Sequence, residues 1–352
     1  MHVPDGFINA PVSLAAGVAA ATALGICLQG ARRDLDAPAA TGPGDRGERL
    51  APLAGLVAAF VFAAQMLNFP VAGGTSGHLL GGALACALAG PYTAILCVTV
   101  VLLVQGLLFA DGGLTALGVN VLVMGVVTVL VAQALLRGLL AVLPRTHRSV
   151  TAAAFTAALV SVPASAVAFT LLYALGGTTG IPLGTVLGAM AGVHLLIGAG
   201  EAVITALTVG AVLAVRPDLV HAARGVHRPL QLGTAPAPPP KTAAPPRRFL
   251  FAGLAVAAVL AGGVSFYASA SPDGLEKVAA DHGMDEHAEE HAAADSPLAD
   301  YGFGDLTDDR LATGLAGLTG VAVTVTAGTA VLYPVVRRRR AARHARTPRR
   351  DG

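Results

Sequence analysis

Apolar residues in this chain fall into runs long enough to cross a lipid bilayer, and that alone narrows the fold before any motif is read. Nine segments stand out, at about 10–30, 50–68, 78–90, 91–109, 116–136, 151–174, 184–215, 248–270 and 310–333. A membrane-spanning helix needs about 20 apolar residues, and most of the nine approach that length. The third is short and runs into Gly90-Pro91, a helix-breaking pair, so a half-span or a tilted helix is expected there. Only 12% of the 352 residues are charged, against about 25% in soluble domains. The fold class is therefore an all-α integral membrane protein. Trp is absent, and the spans are built from Ala, Gly, Val and Leu, small residues that let transmembrane helices approach closely. Cys27, Cys86 and Cys97 lie inside apolar runs without metal-ligand spacing and are expected as core thiols.

The basic residues test the count of spans. Nine crossings that start outside put 21 of the 23 Lys and Arg residues on the cytoplasmic side, leaving Lys277 and Arg310 outside. That asymmetry is the positive-inside rule, and it predicts an N-out, C-in chain in the cell membrane. Residues 232–247, LGTAPAPPPKTAAPPR, read as an extended Pro/Ala linker. They divide a seven-span core (1–231) from a two-span appendage (248–352) with a basic tail. The tail is expected to anchor the topology and meet anionic lipid, so membrane lipid is an expected partner and nucleic acid is not. Between the last two spans lies a loop that is acidic and rich in His. Its 284–295 part is expected to be mobile or weakly helical.

The chain opens MHVPDGF, with no positive charge before Arg32, unlike a cleaved secretory signal, so Met1 is expected to be the mature terminus. Two readings of this stretch stand. It is an ordinary terminus with a solvent-exposed His, or it is a chelate made of the α-amine, the next backbone amide and the His2 imidazole. A deprotonated amide nitrogen suits Ni²⁺ or Cu²⁺ in square-planar geometry. A second stretch, GGTSGHLLGG at 73–82, surrounds His78 with glycines that permit irregular backbone. A third, HLLIGAGEAVIT at 194–205, holds His194 and Glu201 two helical turns apart on one face. Ionisable residues inside spans are costly and commonly functional, but a buried structural hydrogen-bonded pair fits this spacing as well. Gln65, Asn68, Gln105 and Asn120 are polar positions in or near spans, suited either to supporting a site or to bridging helices. HAEEH at 287–291 fits the H-x-x-E-H zinc-protease pattern, but its loop lacks the apolar residues to build a catalytic domain. His282, His287 and His291 are candidates for a metal-collecting loop.

MHVPDGF, GGTSGHLLGG and HLLIGAGE together resemble the substrate-binding M component (CbiM/NikM) of energy-coupling-factor cobalt and nickel transporters, over about 1–215. SPDGLEKVA at 271–279 and SPLADYGF at 296–303 resemble the PDGLE domain of the small two-span N component (CbiN/NikN). The resemblance implies Ni²⁺ or Co²⁺ as the transported substrate. It also implies a site of four nitrogens: the Met1 amine, the His2 amide and imidazole, and the His78 imidazole. Gln65, Asn68, Ser76, His194 and Glu201 become candidates for supporting or gating that site. The appendage is expected to act on loading without supplying a ligand. No P-loop sequence occurs, and the only lysines are Lys241 and Lys277. The chain is therefore not expected to be an enzyme, and ATP hydrolysis falls to partner ATP-binding cassette ATPase (A/O) subunits joined through a coupling transmembrane (T/Q) subunit. Two other classes stay open: a secondary metal/proton transporter with Glu201 as proton carrier, and an intramembrane metalloenzyme using His194, Glu201 and His78.

Overall fold

A computed structural model describes residues 1–36, 46–72, 74–224, 246–304 and 306–346. Most of the expected linker, including Lys241, lies outside the described residues.

Eleven α-helices account for most of the described residues: α1 (Ala10–Asp36), α2 (Arg46–Gln65), α3 (Gly82–Ala89), α4 (Pro91–Leu108), α5 (Leu117–Asn120), α6 (Thr128–Val142), α7 (His147–Gly176), α8 (Leu183–Val215), α9 (Pro246–Gly262), α10 (Gly274–His282) and α11 (Asp309–Arg346). A π-helical run, Val121–Val127, joins α5 to α6 into one long rod. Seven helices among the described residues are long and apolar enough to cross a membrane, which makes the chain an all-α membrane protein. The two expected segments that miss this test are α2, whose shorter apolar stretch is Ala51–Gln65, and α3.

The third segment is where sequence and structure differ most. It is an eight-residue helix, too short to cross a membrane by itself. Gly81 takes a left-handed conformation at φ 83°, outside the helical region, so the helix begins after it, and a Cβ there would meet Val61 at 2.5 Å. Gly90-Pro91 ends it after eight residues. All eight are buried. The irregular lead-in over 78–81 would leave backbone polar groups without partners in an apolar interior, which costs several kcal/mol per group. Side chains from two other helices meet that need. Glu201 accepts from the Leu80 N–H at 2.6 Å and from the Gly81 N–H at 3.2 Å, and Gln65 Nε2 donates to the Leu80 carbonyl at 3.0 Å.

The chain's turns sort to two ends. The N-terminal residues, the two-residue strands β1 (Phe69–Pro70) and β2 (Ser76–Gly77), the 109–116 turn, the 177–182 turn and the 263–304 loop gather at one end. At the other, Gly90 faces His221, which follows α8.

α3 and α4 sit at the centre, while α1 and α9 keep most of their surface outward. The appendage packs on α2 through α9 and α11. Small residues make that contact close. A Cβ at Gly328 would lie 3.1 Å from Gly55 Cα, and one at Gly55 would strike Thr329 Oγ1 at 2.1 Å. The three cysteines are free and buried, as core thiols should be.

Candidate metal site

The N-terminal segment folds back into the protein, and almost every residue of MHVPDGF has a job in holding it there. Asn120, next to the π-helical run, grips Val3 from both sides: its Oδ1 accepts from the Val3 N–H at 2.8 Å and its Nδ2 donates to the Val3 carbonyl at 3.1 Å. The Gly113 N–H donates to the same carbonyl at 2.9 Å. The Asp5 carboxylate accepts from the backbone N–H groups of Leu114 and Thr115 at 3.1 and 2.7 Å. Gly6 adopts φ 85°, and a Cβ there would strike the His287 carbonyl oxygen at 2.0 Å. Thr178 closes the segment by donating from its hydroxyl to the Gly6 carbonyl at 2.8 Å.

This clamp delivers the first two residues to His78. The Met1 amine lies 2.8 Å from His78 Nε2, and the Met1 side chain is buried against Ser165. The His2 and His78 rings stack with centroids 5.1 Å apart. His78 Nδ1 sits 3.1 Å from the Leu79 carbonyl. A carbonyl only accepts, so Nδ1 carries the proton and Nε2 turns its lone pair toward the amine.

Two carboxylates complete the cluster, and sequence reasoning assigned neither. Asp273 Oδ2 accepts from the Met1 ammonium at 2.7 Å and lies 3.6 Å from His78 Nε2. Asp111 Oδ1 lies 3.0 Å from His2 Nδ1, while His2 Nε2 faces Gln105 Oε1 at 3.2 Å. Burial works to raise both carboxyl groups. The adjacent ammonium and His78 outweigh it at Asp273, and the charge and hydrogen bond of His2 outweigh it at Asp111, so both are held below the usual carboxylate range. Tyr301 donates to Asp111 Oδ2 at 2.6 Å and accepts from Gln105 Nε2 at 3.1 Å. Burial, and then Asp111, hold its phenol well above the usual range. Among the described residues, His2, His78 and Asp273 are the group of three metal-capable side chains whose ligating atoms lie within 4.8 Å of one another.

Both appendage motifs land here. In PDGLE, Asp273 and Glu276 form a reciprocal capping box that starts α10. In SPLADY, the Ser296 hydroxyl donates to the Leu108 carbonyl at 2.8 Å and Tyr301 stacks on Phe109 at 4.8 Å.

The other candidates stand apart from the cluster's centre. His194 and Glu201 do not bond to each other. His194 Nδ1 donates to the Met190 carbonyl at 2.8 Å, Glu201 holds the 80–81 backbone, and His194 Nε2 is buried without a partner. Ser76 docks the appendage through the Ser271 carbonyl at 2.7 Å. Asn68 accepts at its backbone carbonyl from the Ser269 N–H at 2.8 Å. The loop at 284–295 is built of turns with no helix, and it lies on the N-terminal segment, where the Glu289 N–H donates to the Asp5 carbonyl at 3.0 Å. His282 and His287 are exposed. Both ring nitrogens of His291 are engaged, by the Gly112 carbonyl and the Ala293 N–H.

Residues 2–219 match the family described as cobalt uptake substrate-specific transmembrane region (CbiM), and residues 247–337 match the PDGLE domain. A Haloquadratum walsbyi protein named for metal transport is 38% identical over 220 residues, 62% of this chain and 93% of that one. An Archaeoglobus fulgidus protein named for fused nickel transport, NikMN, is 38% identical over 221 residues, 63% of this chain and 68% of that one. Among solved structures, a truncated transition metal transporter superposes with a TM-score of 0.50 at 27% identity, covering 61% of this chain and 99% of that one.

Proposed function

We propose that this chain, which belongs to the CbiM cobalt-uptake family and carries a PDGLE domain behind it, is the substrate-capture component of an ATP-driven Ni²⁺ or Co²⁺ uptake transporter. Residues 1–231 form the capture core, 232–247 the linker and 248–352 the fused N-type partner. The Met1 amine, the His2 amide and imidazole, and the His78 imidazole take the ion. The observation that carries this reading is the Met1 amine held 2.8 Å from His78 Nε2 inside a buried, clamped N-terminal segment. An ordinary terminus needs no such enclosure. The names of the relatives favour Ni²⁺ or Co²⁺ as cargo.

The distribution of basic residues favours the cytoplasmic membrane with the N-terminus outside. The site end is then the face that meets the incoming ion. ATP-binding cassette ATPases and a coupling transmembrane subunit, on other chains, supply the energy. A proton-coupled carrier would need Glu201 free to exchange protons, yet both of its oxygens accept backbone N–H groups.

The test is to add one residue before Met1. The extended protein should insert normally and lose high-affinity metal binding, because the chelating amine has moved. Unchanged affinity in a verified, unprocessed extended chain would overturn the reading.

A further inference from the structure

We infer that Asp273 is a direct ligand of the captured ion, so that the site is completed by the appendage and holds an oxygen donor beside its nitrogens. This rests on the capture reading above, and it departs from the expectation that the appendage supplies no ligand.

The argument starts from three atoms. Met1 N, His78 Nε2 and Asp273 Oδ2 form a triangle with sides of 2.7, 2.8 and 3.6 Å. Its corners are equidistant from a point about 1.8 Å away, inside the roughly 2.0–2.2 Å that a first-row divalent ion such as Zn²⁺ keeps to nitrogen and oxygen ligands. One ion slightly above the plane therefore reaches all three atoms without any of them moving. The ring and the carboxylate each have an oxygen or nitrogen to spare as well. His78 Nε2 is the unprotonated ring nitrogen, because Nδ1 donates to the Leu79 carbonyl. Asp273 divides its oxygens: Oδ1 accepts from the N–H groups of Leu275 and Glu276 at the start of α10, which leaves Oδ2 for the site. An ammonium proton lies between nitrogen and carboxylate, and an ion that binds takes the place of the ammonium's extra proton, which leaves to solvent.

The cap on α10 explains why position 273 favours Asp, Asn or Ser. It does not explain why the remaining oxygen lies within reach of two nitrogens 272 and 195 positions away in the sequence.

Ligand chemistry gives a readout that a purely structural role would not move. Ni²⁺ held by four nitrogens in a plane is four-coordinate, and a carboxylate on the open axis raises the coordination to five. The experiment uses the full chain with its native Met1, loaded with Ni²⁺ in detergent, and measures nickel per chain and, by nickel X-ray absorption, the coordination number. Wild type should be five-coordinate. D273S, which keeps the helix cap and whose hydroxyl is too short to reach the ion, should bind at least about tenfold more weakly and fall to four nitrogens. Four-coordinate nickel in the wild type overturns the proposal, as does a wild-type absorption spectrum retained in D273S. The N-terminally extended chain is measured beside them. If it binds as tightly as wild type, it is the capture reading that fails.

Discussion

Asn120 offers the sharpest test of how the N-terminal segment is held, because it touches no metal donor. Asn120→Leu removes both hydrogen bonds to Val3 and leaves a similar volume. Each bond contributes about 1 kcal/mol net, and the Val3 N–H, buried with Asn120 as its acceptor, becomes an orphan costing a further 1–3 kcal/mol or so. The Val3 carbonyl keeps the Gly113 N–H, so the loss falls on the N–H side. The sum, about 2–4 kcal/mol, is drawn from docking of the segment that carries Met1 and His2. If undocking removes the site, apparent affinity falls with the docked fraction, by at most roughly 30- to 1,000-fold at 1.4 kcal/mol per tenfold. Competition against a chromophoric chelator, with protein of native N-terminus, measures it. N120D keeps an acceptor for the Val3 N–H and should lose much less. Wild-type affinity in N120L would refute the idea that this clamp positions the donors.

His78→Ala should cost several kcal/mol of binding, because it deletes a donor that no neighbour replaces. His291→Ala should cost far less in the same titration, since its ring bonds only to backbone, and equal losses would move the site into the loop. Glu201→Gln places an amide N–H₂ against a backbone N–H and should lower thermal stability in detergent by about 1–3 kcal/mol. Uptake should keep its dependence on ATPase partners. A stable E201Q protein whose uptake no longer follows the proton gradient would instead make Glu201 a proton carrier.

The membrane character, the Gly90-Pro91 break and the appendage were legible in the sequence, because each is written in composition or in adjacent residues. His2 and His78 were singled out for similar reasons, one at the very start and one inside a glycine-rich run. Asp111, Asp273 and Tyr301 were not assigned to the cluster. PDGLE holds a readable D-x-x-E capping signal, which predicts that Asp273 starts a helix and says nothing of the ammonium it meets. Asp111 lies in a turn, with no pattern around it to mark its contact with His2. His194 and Glu201 show the converse case. Their seven-residue spacing correctly puts both on one helix face, but sharing a face is not sharing a partner. Glu201 was needed by an irregular segment 120 residues upstream, and no periodicity within α8 reports that need.

The two appendage motifs and the 109–116 turn bear on what affinity means here. The amine pairs with Asp273, and His2 with Asp111 and Gln105. A buried cationic group left alone would be expensive, and these oxygens offset that cost. On the proposed donor set, an ion that binds exchanges these contacts for its own, and the affinity is the difference between the two. Tyr301 donates to Asp111 and accepts from Gln105, so the appendage touches both halves of that difference. Asp273 bears on the bound state, and Tyr301 on the contact that His2 must release.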